Sequence, residues 1–322
     1  MHPLLLPGTH VLRRPDGVFQ LGLAPTEAVR LEHEDAGGRL APVDGSPGLA
    51  ESPALTARLV AQHAAAADDA HLRRALAPDR PENRWQRHTM ASLFRDAPAL
   101  MAARVDERGT KRIRVRGFGH PLDETLRTDL LDLLRRASLT PHGPRPSGPP
   151  ARHALPTEPV HVLLGVGEPS RSLVDPLLRE AVPHLVVRLS EGAALVGPFV
   201  LPGLSPCLRC LDAHVSEDDP AWTLLVEQYS RAARRGDRAD GVPEPVDAVL
   251  AALAVAWAAR EVATYAEGGT PETLGATVRL SPRTGATTTR RWEAHPHCGC
   301  AWRTQASDVP APPRGDDARP AR

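Results

Sequence analysis

The chain has 322 residues, 41% hydrophobic and 24% charged, which suits a globular protein with one large α/β domain and a smaller companion. Lys plus Arg and Asp plus Glu number 39 each, so no surplus of positive charge favours nucleic acid. The longest apolar run, 249–259, ends at Arg260-Glu261 and is short for a bilayer span. Leu4-Leu5-Leu6 lacks the basic flank of an export signal, so a cytoplasmic chain without a membrane partner is expected.

In chain order, 10–13 and 18–23 read as strands around the turn Pro15-Asp16-Gly17, where glycine supplies a positive φ. A third strand follows at 28–32, with Val29 and Leu31 on one face. Ser52-Pro53 is an N-cap and first-turn pair for a helix to about Ala67. Further helical text covers 71–77 and 85–104, the latter breaking before Pro98. From Lys111 the texture becomes strand 112–116, a turn at Gly117-Phe118-Gly119, and an amphipathic helix striped by Leu122, Leu126, Leu130, Leu133 and Leu134. After a loop at 140–159 come apolar strand 160–166, helix 172–180 and apolar strand 185–189. Strands apolar on both faces belong in a parallel sheet, and the alternation implies a Rossmann-type α/β domain. A strand at 194–201 leads into the cysteines, and 230–245 reads as an exposed loop. The helix 246–266 is apolar nearly all round, so it is buried in the core or pairs two subunits. Strands 276–280 and 287–292 finish the fold, and the tail from Ser307 lacks core-forming residues.

All four cysteines fall in two pairs, Cys207-x-x-Cys210 and Cys298-x-Cys300. In a reducing compartment, close pairs suit tetrahedral Zn2+ rather than disulfides. Four thiolates leave no open position for water, which makes such a zinc structural. His295 and His297 are alternative ligands, and a redox or inert thiol set is the competing reading. The glycine turn offers Gly117 and Gly119 as a degenerate nucleotide site. A phosphate-binding turn wants G-x-G-x-x-G, but Leu122 takes the third glycine's place and Pro121 removes an N–H donor. No acidic residue stands about twenty residues on to hold a ribose. A plain strand–helix turn is therefore expected, with ATP not expected as a cofactor and no catalytic residue assigned.

The run Gly197-Pro198-Phe199-Val200-Leu201-Pro202-Gly203-Leu204-Ser205-Pro206-Cys207-Leu208-Arg209-Cys210-Leu211-Asp212, then Asp219-Pro220-Ala221-Trp222, resembles the actinobacterial E1-like (ThiF-like) proteins of azole-forming peptide biosynthesis. His295-Pro296-His297-Cys298-Gly299-Cys300 is similar to their closing motif. The likeness covers about 111–303, while the first hundred residues match in layout.

This resemblance implies a winged-helix-like leader-peptide recognition domain over 1–108 and an E1-like domain with the zinc site over 109–306, while composition makes 307–322 a disordered tail. It places the leader of a ribosomally made precursor along the third strand, at Ala28, Val29, Arg30, Leu31 and Glu32. It implies presentation of that peptide to a YcaO-type cyclodehydratase, and a homodimer. Where E1 relatives carry an Asp that positions the metal-bound nucleotide, this chain reads Gly167-Glu168-Pro169. The expected function is thus peptide binding by a chain that is non-catalytic or weakly catalytic itself. An E1-like adenylyltransferase is the alternative, and DNA binding through a winged helix is disfavoured by the neutral charge.

Overall fold

The computed structural model describes residues 4–23, 28–31, 65–66, 84–96, 100–141, 159–236, 240–281 and 286–300. The expectations for Glu32, for the helices before residue 65 and at 71–77, for most of the 140–159 loop and for the tail lie outside the described residues. Contacts divide the chain into two units, 1–115 with 127–159 and 255–271, and 116–126 with 160–254 and 272–322.

In the first unit, β1 (Leu4–Leu5) pairs antiparallel with β5 (Ala65–Ala66). The helix expected to reach Ala67 is therefore corrected at its end: pairing with the backbone of an apolar dipeptide outweighs alanine's helix preference there. Strands β2 (Val11–Arg13), β3 (Phe19–Leu21) and β4 (Val29–Leu31) form an antiparallel sheet in that order. Its first turn is closed by Arg14 N–H donating to the Val18 carbonyl at 2.9 Å, with Gly17 at φ 82°. Val29 and Leu31 are buried and Arg30 is exposed, the alternation read from sequence. Helices α1 (Arg84–Asp96) and α2 (Met101–Thr110) flank the expected break. Leu6, Leu93 and Phe94 cluster with Val105. Buried Arg108 donates from Nε to Glu267 at 2.7 Å and from Nη1 to the Ala137 carbonyl at 2.6 Å. Strands β6 (Arg112–Arg116) and β7 (Thr140–Pro141) pair in parallel.

The second unit is mixed α/β. Strands β8 (Val160–Val166), β9 (His184–Ser190), β10 (Ala193–Val200), β11 (Ala276–Leu280) and β12 (Thr287–Arg291) are consecutive neighbours in one large sheet. β8 and β9 are parallel; the pairs β9–β10, β10–β11 and β11–β12 are antiparallel. All seven β8 residues are buried, as a strand covered on both faces requires. Helix α3 (Asp123–Arg136) starts after the glycine turn, and α4 (Arg171–Arg179) packs Val174 and Leu177 against Phe118, Leu163 and Val186.

Sequence periodicity missed α5 (Leu208–Asp218) and α6 (Trp222–Ala233). The predicted loop from 230 is corrected: α6 buries Val226, Ser230 and Ala233 at helical spacing, and its polar last turn hid that stripe. The long helix α7 (Ala248–Ala266) continues through Arg260-Glu261, so its 19 residues match a bilayer span in length and composition, with half of them buried in protein. It is not buried all round. Leu250, Ala254 and Ala258 lie inside, while Val249 is 69% and Leu253 45% exposed.

Candidate functional site

Three places in the fold correspond to residues singled out from sequence, the first of them the glycine turn. Its backbone N–H groups converge as they would on a phosphate, but on a side chain of the same chain. Asp123 Oδ2 accepts from Phe118 N at 2.6 Å, Gly119 N at 2.8 Å and His120 N at 3.0 Å. Its Oδ1 accepts from Val166 N at 2.9 Å. The residue is 6% exposed and opens α3, where a carboxylate also complements the helix dipole.

The glycines serve this carboxylate. A Cβ at Gly117 would lie 2.6 Å from Asp123 Cβ, and one at Gly165 would lie 2.9 Å from Oδ1. Gly119, at φ 108°, carries the Arg234 side chain 3.1 Å from its Cβ position. An Asp at 167 has no room either. Gly167 has φ 85°, and Ala233 Cβ of α6 stands 2.5 Å from where its Cβ would be.

Glu168 turns into a buried ion-pair network instead. It accepts from Arg188 at 2.8 Å and from Arg171 at 3.3 Å. Arg171 donates bidentately to Asp212 at 2.6 Å through both nitrogens, and Trp222 Nε1 donates to Asp212 at 3.0 Å. Burial lowers the Arg171 pKa, but the contacts with Asp212 and Glu168 together outweigh it and the net shift is upward. Sequence reasoning missed Asp123, although an acidic residue in the first turn after a glycine turn was a usable signal. It missed Arg171–Asp212 because 41 residues separate them.

The cysteines do come together. Cys207 is the N-cap of α5 and Cys210 sits in its first turn, with Cys210 N–H donating to the Cys207 carbonyl at 2.9 Å. Gly299, at φ 73°, separates Cys298 from Cys300. Sulfur separations are 3.8 Å for Cys207–Cys210, 3.5 Å for Cys207–Cys298 and 3.3 Å for Cys210–Cys300, and all four lie within 4.8 Å of one another. A tetrahedral ion at about 2.3 Å from each sulfur needs edges of about 3.8 Å, so this donor set fits one. Without metal, hydrogen bonds from Cys207 and Cys298 hold Cys210 well below the ordinary thiol range. The contact with Cys210 raises Cys207, and burial pushes Cys300 up to about 12. A cation bound by all four sulfurs would displace the protons they hold.

Of the alternative ligands, His295 is occupied elsewhere. Its Nδ1 accepts from His297 N at 3.2 Å and its Nε2 lies 3.0 Å from Glu217 Oε1. His214, Glu217 and His295 form a separate group with metal-compatible spacing.

The third place is β4, the end strand of its sheet. Gly22 N donates to His10 O and Arg14 N to Val18 O. By alternation, Phe19 and Leu21 bond toward β4, which turns the Arg30 N–H to the outer edge. Ala28 is described as half-buried beside it.

No protein-family model matches the sequence, and no curated protein does. Solved structures do match. The heterocyclase TruD aligns at TM-score 0.61 and 14% identity over 93% of this chain. A heterocyclase in complex with substrate and cofactor aligns at 0.58 and 13%, also over 93%. This chain spans only 42% and 39% of those two chains, respectively. E. coli MccB with AMPCPP and SeMet MccA aligns at 0.54 and 12%, over 94% of this chain and 99% of that one. At such identities the likeness is one of fold, and this chain has the mixed α/β fold of those proteins.

Proposed function

We propose that this chain is a peptide-recognition and scaffold subunit of ribosomal-peptide heterocycle formation. It binds the leader of a precursor peptide along β4, within a winged-helix-like N-terminal domain, and presents the peptide to a YcaO-type cyclodehydratase. It performs no adenylation itself. The observation that carries this reading is the Asp123 carboxylate seated among three N–H donors of the glycine turn and that of Val166 at the end of β8. A phosphate could enter only by displacing a buried negative charge. Likeness of fold to TruD and to MccB, which has been solved with MccA, supports a peptide substrate.

The outer edge of β4, unpaired among the described residues, suits an extended leader, which supplies partners for its N–H and C=O groups. Zn2+ held by Cys207, Cys210, Cys298 and Cys300 is structural in this reading. The exposed stripe of α7, with Val249 and Leu253, joins two copies in a homodimer, which light scattering tests.

The deciding experiment titrates the full chain with a fluorescent cognate leader in the absence of ATP. Binding is expected, and Arg30→Pro, which removes an outward N–H, weakens it. Pyrophosphate exchange into ATP by the wild-type chain would replace this reading with the adenylyltransferase. That alternative rests on the glycine turn alone.

A further inference from the structure

The second unit contains an apolar cavity that neither the cysteines nor the glycine turn uses. It measures about 870 Å3, a volume in the range of ligand sites. Strand register builds its floor. Thr288 lies opposite Arg279, Arg279 opposite Leu195, and Leu195 opposite Arg188, so one row of lining side chains runs from the sheet edge inward. Helices α5 and α6 supply the wall, with Leu211, Trp222 and Tyr229. Trp292 is fixed beside them by donating from Nε1 to Thr277 Oγ1 at 3.1 Å, and the Arg290 guanidinium lies 3.9 Å from its ring centroid.

The cavity opens beside β12, an end strand whose five residues are all exposed. Trp292 N donates to Gly275 O and Ser281 N to Ala286 O. Alternation then directs the N–H groups of Thr288 and Arg290 toward β11, and those of Thr287, Thr289 and Arg291 outward. The side chains of Thr288 and Arg290 line the cavity. A strand added at this edge would therefore put every second side chain on the cavity face, directly opposite them. Charge selects what that strand carries. Arg279, Arg290 and Arg291 have no carboxylate partner among the described residues. The cavity's Glu168 and Asp212 are already paired with Arg171 and Arg188. Its remaining carboxylate, Glu191, sits in the β9–β10 turn.

The geometry points to β12 as a second docking edge, for an extended acidic peptide segment carrying a large apolar side chain. The peptide backbone pairs with the outward groups of Thr287, Thr289 and Arg291. Its acidic side chains meet Arg290 and Arg279, and its apolar side chain enters the cavity against Trp222 and Trp292. This assignment is independent of leader binding at β4, because the two edges are different strands.

The test titrates the full chain with acetylated Glu-Thr-Phe-Thr-Glu, whose Glu and Phe share one face, against Lys-Thr-Phe-Thr-Lys. Calorimetry reads affinity and amide exchange reads location. The acidic peptide is expected to slow exchange at Thr287, Thr289 and Arg291, to weaken with added salt, and to bind roughly tenfold less tightly to Arg290→Glu. Thr289→Pro, which removes one outward N–H and no bond to β11, should weaken binding independently of charge. The assignment falls if β12 exchange is unchanged at saturating peptide, if the lysine peptide binds as well, or if protection appears at Val29–Leu31 instead.

Discussion

The glycine turn and the cysteine cluster lie in the same unit and meet the same problem by opposite means. Each gathers like-polarity groups from distant segments: four N–H donors in one, four thiols in the other. The turn is completed from within by Asp123, so its donors are satisfied without any ligand. Among the described residues no cationic side chain is hydrogen-bonded to the four sulfurs, and their protons are held unequally, with Cys210 acidified and Cys207 raised. A site that internalises its counter-charge becomes part of the fold, whereas one that does not remains a binding site.

The largest effect should come from depriving the cysteines. Chelation of Zn2+, or Cys210→Ser, is expected to remove stabilisation on the order of 10 kcal/mol. Cooperative thermal unfolding should disappear, and elemental analysis of the folded wild type should find one zinc per chain. A metal-free chain that unfolds as cooperatively would erase the contrast.

The turn should be next. Asp123→Ala strands four backbone donors, 118–120 and 166, and should cost about 3–5 kcal/mol in urea unfolding. ATP should leave the wild-type midpoint unmoved.

His184 on β9 gives a reference that belongs to neither site. Burial lowers its pKa to about 4, while its Nδ1 lies 2.8 Å from the Val182 carbonyl. The native state favours neutral imidazole, so its stabilisation is complete above the unfolded pKa of about 6.5 and lost as pH falls toward about 4. That loss amounts to about 3 kcal/mol. His184→Asn, keeping an N–H donor, should flatten this part of the stability–pH curve.

The smallest effect is also the most specific. Gly117→Ala should cost about 1–3 kcal/mol through the clash with Asp123 Cβ. In an Asp123→Gly background the same substitution should cost less, and a double-mutant cycle reads the difference. Additive effects would mean that Gly117 is there for the turn and not for the carboxylate.

Much of the architecture could be read along the chain. The apolar strands β8 and β9, the hairpin at Gly17, the alternation of Val29, Arg30 and Leu31, and the pairing of all four cysteines follow from local periodicity and spacing. α5 and α6 were not legible, because short helices with mixed faces give weak periodic signals, and the polar end of α6 reads as loop until Ser230 and Ala233 are seen to be buried.

Sequence alone determined that Gly117 and Gly119 make a tight strand–helix turn with an incomplete phosphate motif. It also determined that two thiol pairs are available to one metal. Only the tertiary structure decided what occupies the turn, since that depends on where Asp123 points and on Val166, 43 residues away. The same holds for Gly167 against Ala233, for Arg171 with Asp212, and for the cavity beside β12. Periodicity reports which face of an element is apolar, but which charged groups meet is set by how separate elements pack. A carboxylate is buried where converging N–H groups offset the cost of taking its charge out of water.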